Sequence, residues 1–266
     1  MSTNLSLAGL FCMYALMLAP LAIIFFLKLG LVRQTLFGLL RMTLQLFLVG
    51  LYLKFIFELN HPLVTTLWLA IMLVVANFSV LQRAGLKRKP FFWRTLLGVT
   101  SGTLFSGAWF LFIALRPEPL FDARYMVPVI GMVLGNSLRS NVLSLERFYS
   151  SIRENEHEFT TYLMLGATLR EAILPYLRAS LRAAVNPALA TMATMGIVSL
   201  PGMMTGQILG GAMPQEAIKY QIAIMICIFS AMMISSSANI FLSLPIAFDK
   251  FHRLQKNIFR SSQWRS

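Results

Sequence analysis

Seven stretches of mainly apolar residues, each about as long as a bilayer-crossing helix, constrain this chain most. They run roughly over 5–27, 35–57, 63–82, 95–115, 125–145, 187–210 and 219–247 of the 266 residues. A hydrocarbon layer about 30 Å thick offers the backbone no hydrogen-bond partners. Each stretch must therefore satisfy its own amides, as a helix does. The chain is 57% hydrophobic and 12% charged, against about 25% charged in an ordinary soluble domain. The expected fold class is all-α: a polytopic transmembrane helix bundle of about seven spans with one cytoplasmic helical loop.

A net charge of +13 would fit a nucleic-acid binder, but the distribution argues otherwise. Lys and Arg gather at the ends of apolar stretches, as the positive-inside rule requires. Lys28, Arg33, the Arg83–Lys89 loop with Arg94, the arginines between 147 and 182, and the tail from Lys250 to Arg265 all fall on one side. The opposite connectors, around Glu58, Glu118 with Asp122, and Glu216, carry little charge. The orientation expected is N-terminus out and C-terminus in. No Lys or Arg precedes Lys28, so the first stretch reads as a span and not as a cleaved signal. The chain divides into one transmembrane domain over 1–248 and a basic cytoplasmic tail over 249–266.

The two cysteines, Cys12 and Cys227, lie inside apolar stretches as small hydrophobes. His61, His157 and His252 stand apart, so no metal cage is legible and any metal-ligating set stays unknown. That dispersal also argues against a membrane enzyme, which needs a nucleophile and base, or metal ligands, at one depth.

Residues 146–184 form the one substantial polar segment, and its pattern is helical. Phe159, Tyr162, Leu163 and Leu165-Gly166 make an apolar face ending at a turn. Thr168 precedes Glu171 at the spacing of a capping box, which marks a fresh helix start. Pro175 is expected to kink or end that second helix. The segment reads either as a solvated hairpin or as a docking element for a cytoplasmic partner, in the helix-in-groove mode.

Leu165-Gly-Ala-Thr168 followed by Arg170-Glu171-Ala172 resembles the coupling loop of ABC-transporter permeases, whose EAA…G signature it matches in part. Thr160 stands where the signature has Glu. Further segments carry a closer resemblance: Arg41–Gln45 with Gly50, Val127–Met132 with Gly135-Asn136, Val198–Met204 with Gly206, and Ala217–Ile222. On these the chain resembles the FetB (YbbM) family of bacterial permeases, described as iron exporters and related to plant aluminium-tolerance permeases. The resemblance implies a homodimeric permease in a bacterial inner membrane, working with a separate cytoplasmic ABC-type ATPase. It implies a transport subunit, not an enzyme: ATP belongs to the partner, and this chain binds no cofactor. The absence of a Walker-type GxxxxGK(S/T) fits. The residues implied in coupling are Glu158, Leu165, Gly166, Ala167, Thr168, Arg170 and Glu171. A self-sufficient secondary transporter or channel is the alternative, though no acid lies mid-span to couple an ion.

Pathway candidates follow from polar or helix-breaking residues at membrane depth. Ser199, Pro201, Gly202, Met203 and Met204 interrupt the sixth stretch, either lining a pathway or making a packing kink. Arg41 and Gln45 share a face of the second, although an arginine so near the end can snorkel. Asn136 and Arg139 share a face of the fifth. Of 16 methionines, Met192, Met195, Met203 and Met204 flank the break as soft thioethers or as gap fillers.

Overall fold

The computed structural model describes residues 6–119 and 121–259. The chain divides into two compact units, one ending at Asn60 and the other beginning at His61.

The first unit holds α1 (Leu7–Leu16), α2 (Leu18–Phe26) and α3 (Val32–Leu59). The Ser6 hydroxyl caps α1 by accepting from the Gly9 N–H at 3.1 Å. Pro20 lacks an N–H and crowds the carbonyl four residues back, and the helix is interrupted at Met17. The Tyr14 and Thr43 hydroxyls share a hydrogen bond that ties α1 to α3. Apolar side chains such as Phe11, Phe25, Phe26 and Phe47 are exposed, a surface that lipid tails solvate as readily as protein does.

The second unit is built from α4 (Pro62–Arg83), α5 (Arg88–Ala108), α6 (Ala123–Glu154), α7 (Glu156–Met164), α8 (Leu169–Thr194), α9 (Gly202–Leu209) and α10 (Pro214–Ala247). A π-helical stretch, Trp109–Leu115, continues α5. Pro62 and Pro214 open their helices at the first turn, where the missing N–H costs nothing. The His61 ring nitrogen accepts from the Leu63 N–H, so this histidine is a helix cap. Asp122 caps α6 through the Arg124 N–H.

α10 spreads apolar residues around its circumference with polar side chains buried among them, and such a helix belongs inside a bundle. It packs on α5, α6, α8 and α9, most extensively on α5. The α5 contact is close because Gly98 and Gly102 face it. A Cβ at Gly102 would lie 2.6 Å from the Ser235 nitrogen, and one at Gly98 would collide with Asn239. Small residues four apart let two membrane helices approach this closely. On its other side α10 meets α6 through buried polar pairs. Ser140 and Ser236 share a hydrogen bond of 2.6 Å, Asn141 donates to Ser235 at 2.9 Å, Asn239 donates to Asn141 at 2.5 Å, and Tyr149 pairs with Ser243 at 2.6 Å.

Among the described residues, five helical segments are long and apolar enough to cross a membrane: Ala8–Phe26, Val32–Leu59, Pro62–Arg83, Arg88–Leu115 and Pro214–Ala247. These are the first four and the last of the seven expected stretches. The fifth lies in α6, which is long but carries a buried polar face. The sixth is not one helix: it combines the last turns of α8, a non-helical turn at 195–201, and α9. Pro175 does not end the second helix of the polar segment. α8 runs through both Pro175 and Pro187, so that segment is continuous with the stretch expected to follow it.

The largest apolar cluster gathers Leu81, Leu86, Phe91, Tyr149, Ile152, Phe159, Ile173 and Phe248, together with Ile258 and Phe259. Past α10 the chain folds back. The Gln255 N–H donates to the Ala247 carbonyl, and the Lys87 N–H to that of Ile258. The Arg153 guanidinium sits 4.8 Å from the Phe259 ring centroid. The tail expected over 249–266 is thus packed on the bundle as far as Phe259; its remainder, 260–266, lies outside the described residues.

Candidate functional site

The break after α8 is one wall of a cavity. Thr194 ends the helix, Gly196 turns at φ +87°, and the Gly196 N–H donates to the Ser199 carbonyl at 2.9 Å. Pro201 then serves as N-cap of α9. The chain reverses in a few residues without a regular helix. Its two ends, Met195 and Pro201, line a space of about 380 Å³ bounded by α6, α8, α9 and α10.

Asn136, Arg139, Pro201, Gly202 and Met203 all line this cavity. Residues distant in sequence are therefore brought together. Ser199 and Met204 are not among the lining residues, and neither is Met192. Arg41 and Gln45 lie exposed on α3, in the first unit. Sequence reasoning missed the wall supplied by α10, namely Gln221, Met225 and Met232, and Met132 on α6. With Met195 and Met203 these make five methionines around one space. Their regular helices carry no local irregularity to single them out.

Polar chemistry in the cavity is sparse. The Asn136 amide donates back to the Met132 carbonyl at 2.9 Å. Gln221 is 6% exposed and its Nε2 contacts the Met195 sulfur at 3.8 Å, while its Oε1 has no hydrogen-bond partner. Arg139 is exposed and has no carboxylate partner among the described residues. No acid lines the cavity. Among the described residues no group of three or more His, Cys, Asp or Glu is placed to hold a metal ion. Asn77 and Asn239, polar residues within apolar stretches, are fully buried and bond to neighbouring helices, so they belong to packing.

The polar segment forms a second feature. Phe159 is 2% exposed and packs on Tyr176 and Phe248, which anchors α7. Met164 and Leu165, at its end, are 81% and 80% exposed. Gly166 takes φ +92°, a conformation that an L side chain resists. The Thr168 capping box forms: its hydroxyl accepts from the Glu171 N–H, and the Glu171 carboxylate accepts from the Thr168 hydroxyl at 2.7 Å and N–H at 2.8 Å. Those two bonds, the hydroxyl's first, hold the Glu171 carboxyl below the usual carboxylate range. Glu158 accepts from the Tyr162 hydroxyl, and that bond raises the phenol. Ala167 is half-buried in the turn, while Glu158, Arg170 and Glu171 remain exposed around the Leu165 tip.

Comparison with known proteins supplies the relationship. The profile described as Uncharacterised protein family (UPF0014) matches residues 7–248. A UPF0014 membrane protein of Synechocystis sp. is 37% identical over 226 residues, 85% of this chain and 87% of that protein. The Arabidopsis thaliana protein named Protein ALUMINUM SENSITIVE 3 is 34% identical over 236 residues, 88% of this chain and 84% of its own length. The Escherichia coli protein named Probable iron export permease protein FetB is 30% identical over 254 residues, 95% of each chain. No solved structure matches the chain.

Proposed function

Because the chain belongs to the UPF0014 family of multi-pass membrane proteins, we propose that it is the membrane-spanning permease subunit of an ABC transporter. It exports iron or a related metal, and ATP is hydrolysed by a separate cytoplasmic subunit. The name of the Escherichia coli relative supports the metal. The permease works as a homodimer in a bacterial inner membrane. It has seven passes, with N-terminus out and C-terminus in; α6 and the α8–α9 pair, lining the cavity, supply the two passes beyond the five strongly apolar ones.

One observation carries the partner. The tip formed by Met164, Leu165 and Gly166 presents two apolar side chains at about four-fifths exposure on an otherwise anchored, capped turn. A rigid apolar knob between charged residues fits a groove on a soluble protein. The test places a photocrosslinker at Leu165 in the native membrane and identifies what it captures. Capture of an ATP-binding protein in constant ratio, lost on Gly166→Asp, is the expected result. A chain that purifies alone and moves solute down a proton or sodium gradient would instead make it a secondary transporter.

A further inference from the structure

The cavity between α6, α8, α9 and α10 has a chemistry that a bare metal cation does not match. Its one formal charge is the Arg139 guanidinium. A free divalent ion would meet a fixed positive charge, no carboxylate and no imidazole. An arginine with no acidic partner offers a planar fork of donors suited to a carboxylate. Gln221 adds a second demand. Its Oε1 is a buried acceptor without a donor, and leaving such a group unpaired is costly. A small turn of the Gln221 side chain toward the cavity would let a ligand hydroxyl satisfy it. The lining also carries five methionine thioethers, which adapt to a flat ring and attract it.

From these three features we infer that the cavity binds an aromatic hydroxy acid: carboxylate on Arg139, ring among the methionines, hydroxyl donating to Gln221. In a dihydroxybenzoate the carboxylate and the adjacent phenol, which gives up its proton, chelate iron while the second hydroxyl keeps its proton for Gln221, so the permease passes its metal as an organic chelate and not as a naked cation. This deepens the transport reading and rests on it for direction and energy, but binding at the cavity is measurable without any ATPase.

The experiment uses the full chain in lipid nanodiscs with 2,3-dihydroxybenzoate as probe, read by the probe's own fluorescence. Benzoate competes as the analogue lacking hydroxyls, and ferrous ion is tested separately. Saturable binding is expected, with benzoate the weaker ligand. Arg139→Gln should weaken the probe by about tenfold or more, and Arg139→Lys by less. Gln221→Leu should abolish the preference over benzoate. Ala188→Phe, which fills the space from α8, should remove binding and decides the matter should Arg139→Gln fail to fold. Absence of saturable binding would overturn the assignment. So would equal affinity in Arg139→Gln and Gln221→Leu, or ferrous ion bound in the probe's place. Failure here with the ATPase still captured at Leu165 would leave the transporter reading intact and remove only this substrate class.

Discussion

Single residues set the tolerances of this fold most sharply where helices touch. Gly102 faces the backbone of α10, and a methyl group there has nowhere to go. Gly102→Ala is expected to destabilise the protein by about 1–3 kcal/mol in detergent unfolding. Gly135→Ala, where nothing lies within 4 Å, should be close to neutral; equal losses would mean that α5 and α10 are not in close contact. Glu171 gives a pH dependence at the same scale. Its pKa is lowered on folding, so its contribution is fully present above the ordinary glutamate value of about 4.3. It disappears as pH falls through the lower folded value. Amide exchange at the start of α8 should stay slow down to about pH 4 and quicken below it, and Glu171→Gln should flatten that profile. Thr168 and Glu171 announce their partnership by spacing alone. Gly102 does not announce which helix it meets, because that helix lies more than a hundred residues away.

Between elements, the decisive contact joins the chain after α10 to the α7 hairpin. Phe248 packs on Phe159, and Phe259 lies beneath Arg153 near the turn between α4 and α5. Phe259→Ala removes a buried ring and should cost about 3 kcal/mol. It should also loosen α7, seen as faster amide exchange over 156–164, with α3 unchanged. If α7 exchange stayed at the wild-type rate, the hairpin would be held without help from Phe259. The tail's charge, visible in Lys250 and Arg253, hides its structural part: the buried residues Ile258 and Phe259 sit among polar neighbours with no helical period. The cavity shows the same division. Pro201-Gly202 mark one wall because they break a helix, whereas Gln221, Met225 and Met232 sit in an unbroken apolar helix and acquire meaning only from what faces them.

At the level of the whole molecule, the apolar stretches reveal a helical membrane protein, and their lengths mark five candidate crossings among the described residues. What stretch-counting misreads is the region from 146 to 210. There a buried polar face on α6 and a long, proline-containing α8 carry structure that hydropathy averages away. The proposed arrangement makes a topological prediction. In a background with Cys12 and Cys227 replaced by serine, a cysteine at Glu58 should react with an impermeant thiol reagent from outside intact cells. One at Lys89 should react only after the inner face is opened. The reverse pattern would invert the orientation and put Leu165 on the wrong side for a cytoplasmic partner.

The return of residues 248–259 onto the bundle also bears on how the protein is made. A chain emerging N-terminus first has completed every helix before Ile258 and Phe259 exist. Until then the patch formed by Leu86, Phe91 and Ile152 lacks part of its cover. Ribosome-bound intermediates carrying α4 to α10 would expose that patch at the membrane face, a target for chaperones and proteases. Quality control would therefore read this late contact, and a chain whose α7 and α8 lack that support would be recognised before its Leu165 tip could meet a partner.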